Sequence, residues 1–146
     1  IIAATKRHAL HAKVNGVLVQ EMMAAGVEMI LGVMRDPVFG PVVMAGLGGI
    51  YVEVLRDVAY RIAPVTPEDA RAMLDELRAR KLLDGVRGAS ARDVDAIVDH
   101  IVRLSWFAHD FAREVTEIDI NPLIVHERGR GACAVDALIV RAGAAA

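Results

Sequence analysis

The sequence predicts an α/β (α+β) fold, a mixed or antiparallel sheet with helices packed on it. Three observations point there. Short apolar runs broken by Gly and Pro fill residues 16–65. Two segments with helical periodicity follow, over 66–81 and 90–111. Two alternating segments then flank the turn-rich "ERGRG" near the end. Strands, then helices, then a hairpin make a layered sheet-and-helix domain.

Each element has a local reason. Residues 3–13 read as the end of a helix closed by the turn dipeptide Asn15-Gly16, and the apolar opening pair reads as the tail of an element whose beginning is missing. "GVLVQEM" (16–22) has the length and apolarity of a buried strand. "VEMILGVMRD" (27–36) is a second strand, followed by turn chemistry at Asp36-Pro37 and Phe39-Gly40-Pro41. "PVVMAGL" (41–47) is a third, running into Gly48-Gly49, where a backbone needs freedom or close approach. "VAYRIAPV" (58–65) is a fourth. Thr66 is an N-cap, with Pro67 at the first helical position and Glu68 and Asp69 in the first turn, and that helix is expected to reach about Lys81. "LLDGVRG" (82–88) reads as a glycine-punctuated loop, after which Ser90 caps a helix. In it Val94, Ile97, Val98, Ile101, Leu104, Ala108 and Phe111 share one face. Strands are expected over 115–125 and 132–140, with "GAAA" as a loose tail and no internal repeat.

Composition narrows the function classes. The chain has 146 residues, 55% apolar and 25% charged, with a formal net charge of −2. That is one globular domain or two small lobes. The scattered basic residues make no footprint for a phosphate backbone, so nucleic acid is set aside. A single cysteine, Cys133, rules out an internal disulfide framework and a cysteine-rich zinc site. The most apolar stretch is interrupted by Gln20, Glu21 and Glu28, so it does not span a membrane. The start lacks the basic-then-apolar order of a signal peptide, and a cytoplasmic location is expected.

The chemistry gathers at the last hairpin. If its strands turn inside "ERGRG", Asn121 lies opposite Asp136, and directly opposed residues have Cβ atoms roughly 5 Å apart on one face. Asp119, two residues earlier, shares that face. Ile118, Ile120, Val135 and Ala137 fall on the other face, toward the long helix. Three oxygen-bearing side chains, Asp119, Asn121 and Asp136, thus converge. Hard oxygen donors suit Mg²⁺, which takes one or two carboxylates and fills its shell with water and substrate phosphates. The same pattern fits a solvated strand face ending in an Asn-Pro turn, and spacing alone leaves both open.

Taken together, "VLVQEMMAAGVEMILGV", "DPVFGPVVMAGLGGIYVEVLRDVAYRIAPV", "LLDGVRG" and "EIDINPLIV...AVDALIV" resemble, in order, the ATP-grasp domain of the NDP-forming acyl-CoA synthetases. These include ADP-forming acetate–CoA ligase and, more distantly, the succinyl-CoA synthetase β chain. The resemblance runs from about residue 14 to 140. It implies that 16–22 is the hinge strand between two ATP-grasp lobes and the remainder is the C-terminal lobe. Gln20, Glu21 and Met22 would line the adenine pocket, and Glu28, which apart from the resemblance reads as an exposed strand residue, would hold the ribose hydroxyls. Asn121 and Asp136 match the two Mg²⁺ ligands. Asp119 matches an acidic residue near the transferred phosphoryl group. Gly48-Gly49, Arg35 and Arg87 are further candidates for phosphate contact, Gly48-Gly49 being equally a plain strand-end turn and either arginine equally a solvated surface charge. None of His8, His11, His100, His109 and His126 has ligand spacing or matches the phosphorylated histidine.

The implied parent is a ligase converting carboxylic acid, CoA and ATP to acyl-CoA, ADP and phosphate through acyl phosphate and phosphohistidine. The first lobe with its phosphate-gripping lysine is not in this sequence. Nor are the CoA-binding and phosphohistidine domains, which would be partners in the same protein or another subunit, possibly an oligomer. The chain alone is therefore expected to be inactive. Two other readings stay open: a catalytically silent, regulatory synthetase-like domain of a protein lysine acetyltransferase, and a lobe kept only for subunit contacts.

Overall fold

The computed structural model describes residues 2–9, 11–49, 56–86 and 88–143. Its centre is a six-stranded sheet in which every pairing is antiparallel. Strands β1 (Val27–Asp36), β2 (Gly40–Leu47) and β3 (Val58–Ile62) form a meander. Strand β4 (Val115–Val125) pairs with β1, and its outer edge is shared by β5 (Ala132–Ala134) and β6 (Ala137–Arg141). Helix α1 (Ile2–His8) is short and buries nothing. Helices α2 (Pro67–Glu76) and α3 (Val94–Asp110) cover one face of the sheet.

Period-two alternation supplies that face. Met29, Leu31 and Val33 of β1 and Val43, Ala45 and Leu47 of β2 are buried against Met73 and Leu74 of α2 and Ile97 and Ile101 of α3. Among the described residues no helix lies on the opposite face, and Glu28, Met34, Tyr60, Ile62 and Glu117 are exposed there.

Strand β4 departs from simple alternation in one place. Met29 pairs with Leu123 and Leu31 with Ile120, so Asn121 and Pro122 together oppose the single residue Ile30. This is a β-bulge. Pro122 has no N–H to give to a ladder, which makes it the natural place for one. The extra residue resets the alternation, so Ile118 before it and Leu123 and Val125 after it all enter the core. The Asn121–Pro122 and Ala63–Pro64 peptide bonds are cis.

The elements differ from the sequence expectation where a tertiary partner intervenes. Helix α1 ends at His8 rather than Lys13, and β3 ends at Ile62 rather than Val65. Helix α2 starts as expected, with a capping box between Thr66 and Asp69, but stops at Glu76 instead of about Lys81. The buried carboxylate of Asp57 accepts the N–H groups of Arg78 (2.8 Å) and Ala79 (2.9 Å), which draws the chain out of the helix. A 3₁₀ turn over Arg80–Asp84 replaces the start of the expected loop. Gly85 follows with φ 88°, and an added Cβ there would collide with the carbonyl of Ala89. Asp93, not Ser90, caps α3, and Phe111 lies just past its end. The expected strand 132–140 splits into β5 and β6 at Val135-Asp136, opposite the bulge. Val135 and Ala137 were expected against the long helix, but both are exposed. Helix α3 lies over β2, β1 and β4, and the edge strands extend past it.

Removing Asp57 leaves two backbone N–H groups without their charged acceptor, so Asp57→Ala should cost on the order of 3 kcal/mol. Urea unfolding followed by circular dichroism should show a clearly lower midpoint, with Asp57→Asn in between. A midpoint equal to wild type would refute the role given to this carboxylate.

Candidate functional site

The uncovered face collects the oxygens. Leu123 pairs with Ala134 and Ile120 with Ala137, so β4 keeps one register across the split between β5 and β6. That register puts Asn121 opposite Asp136, as the hairpin arithmetic expects. The Asn121 N–H donates to the Asp136 carbonyl at 3.1 Å, and the Val135 N–H donates to the Pro122 carbonyl at 3.0 Å. Asp119 shares the face, between Gly32 of β1 and Leu138 of β6. Gly32 has no side chain there, and the Met44 side chain packs over it, 3.2 Å from where a Cβ would stand.

Among the described residues, the side chains of Asp119 and Asn121 have no hydrogen-bond or ion-pair partner. One Asp136 oxygen accepts the N–H of Ala137 at 2.8 Å. No basic side chain among the described residues neutralises the group. Also among the described residues, no three His, Cys, Asp or Glu side chains are close enough to hold a metal ion by themselves. The face is therefore a wall with oxygen donors on one side. A cation there would need further oxygens from a ligand or from water, which is how Mg²⁺ is ordinarily held. The donor set fits that ion.

Glu28 lies on the same face, opposite Ile124. It is four residues from Gly32 along β1, about 13 Å at 3.3 Å per residue. Its side chain is exposed and lines a cleft of about 410 Å³ with Gly48, Gly49, Val86 and Arg92. Here the structure revises one candidate, because the Gly48 N–H is already given to the Glu28 carbonyl at 2.8 Å. Gly26, at the start of β1, permits close approach, since an added Cβ would sit 2.5 Å from the Val125 carbonyl oxygen.

The strand expected over 16–22 is not formed, and residues 12–26 have no regular structure. Val17, Leu18, Val19 and Met22 are exposed, and among the described residues no strand lies alongside to take their backbone hydrogen bonds. Gln20 and Glu21 are exposed too. Glu21 and Met22 border a shallow pocket with His126 and Arg130, near the loop between β4 and β5. Gln20, Glu21 and Met22 are thus not brought to Asn121 and Asp136 by a strand. Arg35 donates to the carbonyl of Ala112 at 3.1 Å, tying β1 to the end of α3. Arg87 lies outside the described residues. His109 packs edge-on against Trp106 at 5.8 Å, in keeping with a structural role.

One residue that sequence reasoning passed over is Asp93. Its carboxylate accepts the N–H of Ala96 at 3.2 Å, capping α3, and the N–H of Gly131 at 2.8 Å. Its own N–H donates to the His126 carbonyl at 3.0 Å. The signal was present, since Asp is a preferred cap and precedes an apolar helical run.

Comparison with known proteins shows the family. The model of the ATP-grasp domain matches residues 1–140. The chain belongs to the ATP-grasp family. It is 45% identical over 132 residues to the β subunit of ADP-forming acetate–CoA ligase II from Pyrococcus furiosus, covering 90% of this chain and 56% of that one. It is 49% identical over 118 residues to ADP-forming acetate–CoA ligase I from Archaeoglobus fulgidus, covering 81% of this chain and 17% of that one. Among solved structures it resembles dinucleotide-forming acetyl-coenzyme A synthetase 1 from Ca. Korarchaeum cryptofilum, in complex with coenzyme A and Mg-AMPPCP. The TM-score is 0.79 at 44% identity, over 84% of this chain and 56% of that one. The chain thus spans about half of the β subunit and under a fifth of the longer ligase. The layered sheet and helices expected for an ATP-grasp lobe are present. No helix among the described residues is long and apolar enough to cross a membrane.

The Gly131 N–H, first among several backbone donors, holds the Asp93 carboxyl below the usual carboxylate range. A carboxylate with a pKa lowered by folding stabilises the protein above its ordinary pKa, and that contribution is lost as pH falls through the lowered value. Thermal melts from about pH 6 down to about pH 2 should therefore fall more steeply for wild type than for Asp93→Asn. Parallel curves would contradict the assignment.

Proposed function

We propose that this chain is the C-terminal ATP-grasp lobe, with the hinge segment at 16–22, of an ADP-forming acyl-CoA synthetase. Its open sheet face is one wall of the nucleotide cleft. The observation behind this is the register that sets Asn121 against Asp136 on an open face, beside the carboxylate of Asp119, which has no partner among the described residues.

Asn121 and Asp136 would hold Mg²⁺ through their side-chain oxygens. When bound, that ion supplies charge neutralisation to phosphate oxygens during phosphoryl transfer. Asp119 stands one alternation further along β4, where it would orient the group receiving the phosphoryl. Glu28 would accept hydrogen bonds from the ribose hydroxyls, and Gln20, Glu21 and Met22 would border the adenine. The order along the face, Glu28 and then the oxygen wall, suits an extended nucleotide of ATP or ADP lying along the strands.

The complete reaction takes a carboxylic acid, CoA and ATP to acyl-CoA, ADP and phosphate, through acyl phosphate and phosphohistidine. CoA-binding and phosphohistidine domains, in the same protein or a partner subunit, would complete it in the cytoplasm. This lobe alone would not turn over. The open, un-neutralised oxygens favour a working metal wall over a silent regulatory domain.

The test is Asn121→Ala combined with Asp136→Ala in the full-length parent. Mg²⁺-dependent exchange of phosphate between ATP and ADP should fall on the order of 100-fold or more, with circular dichroism unchanged. Unchanged exchange would defeat the proposal. The isolated chain should release no ADP from ATP, and robust turnover by it would show that the lobe is not dependent on the rest.

A further inference from the structure

We propose that Asp93 is a positioning residue for the oxygen wall, setting the hairpin register that holds Asn121 opposite Asp136. The inference rests on the metal-site reading above and adds a residue that lies outside the site.

The hairpin specifies its own register weakly. Strand β5 has only three residues, Ala132–Ala134, and lies at the edge of the sheet. Their sequence, Ala-Cys-Ala, offers three small side chains, none fully buried. Register is strongly fixed where a hydrophobic face is buried and weakly fixed where it is not, and a slip of one residue sends every side chain to the other face. A slip at β5 would move Asp136 away from Asn121.

Strand β6 continues the same register but is exposed along most of its length, so the turn supplies the fixed end of the hairpin, and the turn is anchored from outside. The loop His126–Gly131 closes with the His126 N–H donating to the Gly131 carbonyl at 3.0 Å. Asp93 grips both ends of that closure. Its backbone N–H donates to the His126 carbonyl at 3.0 Å, and its carboxylate accepts the Gly131 N–H at 2.8 Å. Two further ties flank it, the Arg128 N–H to the Ala91 carbonyl at 2.9 Å and a bridge between Arg92 and Glu127. Gly129 and Gly131 take φ of 78° and 75°, so the loop has the left-handed geometry this grip requires. The reference frame is rigid, because Asp93 is the N-cap of the 17-residue α3, whose buried stripe is packed under the sheet. The side chain of Asp93 is buried, and its carboxylate bonds to the helix at Ala96 and to the turn at Gly131, so it acts on the wall through the hairpin.

Asp93→Ser separates this role from helix capping. Serine caps well but is too short to reach Gly131 while capping Ala96. The measurement is Mn²⁺ binding to the full-length parent with ADP present, read from the free-Mn²⁺ paramagnetic resonance signal, alongside ADP affinity without metal. We expect Asp93→Ser to weaken Mn²⁺ binding about tenfold, as displaced outer-shell partners do, and to leave ADP affinity unchanged. Asp93→Asn, which keeps one acceptor oxygen, should fall between. Wild-type Mn²⁺ affinity in Asp93→Ser, or equal losses for Mn²⁺ and ADP, would overturn the positioning role. The reference arm is Asn121→Ala with Asp136→Ala. If that pair leaves Mn²⁺ binding intact, the metal-site reading itself fails. If it abolishes binding while Asp93→Ser does not weaken it, only the positioning role fails.

Discussion

The structure depends on how β4 is held between two different neighbours. On one side it pairs with β1 through the core of the sheet, and on the other with the two short pieces β5 and β6. Both ladders must accommodate Pro122, which cannot donate. The bulge at Asn121-Pro122 resolves this on the β1 side, and the break at Val135-Asp136 resolves it on the other. Apolar residues on both sides of the bulge stay in the core, so the irregularity does not sacrifice burial. Asn121 and Asp136 then meet at the point where the regular ladder is interrupted. Bulges recur beside functional sites because they re-aim side chains.

The two faces of the sheet divide the labour. The helix-covered face supplies stability through ordinary apolar burial. Among the described residues, the Asp119 carboxylate and the Asn121 amide on the other face have no protein partner, alongside exposed Met34, Tyr60 and Ile62. A wall of this kind suits a ligand or another part of a larger assembly coming to it.

What was legible in the sequence was what local chemistry decides. Strands β1 and β4 alternate cleanly, and their expected bounds, 27–36 and 115–125, coincide with the strands formed. Thr66-Pro67-Glu68-Asp69 is a self-contained start signal, and its capping box is present. The hairpin register followed from one turn position. What failed depended on partners remote in sequence. The end of α2 is set by Asp57, some twenty residues earlier, through two backbone N–H groups. The cap of α3 moved from Ser90 to Asp93 because Asp93 also binds the distant Gly131. The run 16–22 is apolar enough for a strand, but a strand needs a neighbour, and none among the described residues provides one. Residue roles at Glu28, Asp119, Asn121 and Asp136 came from resemblance, to which the structure adds a shared open face.

Asn121 and Asp136 are proposed to hold a divalent cation together against a nucleotide. The most direct measurement is anomalous X-ray diffraction from crystals of the full-length parent grown with Mn²⁺ and ADP. The account predicts one anomalous peak within about 2.3 Å of both side-chain oxygens, the range for hard cations and oxygen ligands. A peak elsewhere on the protein, with Asn121 and Asp136 facing only water, would contradict it.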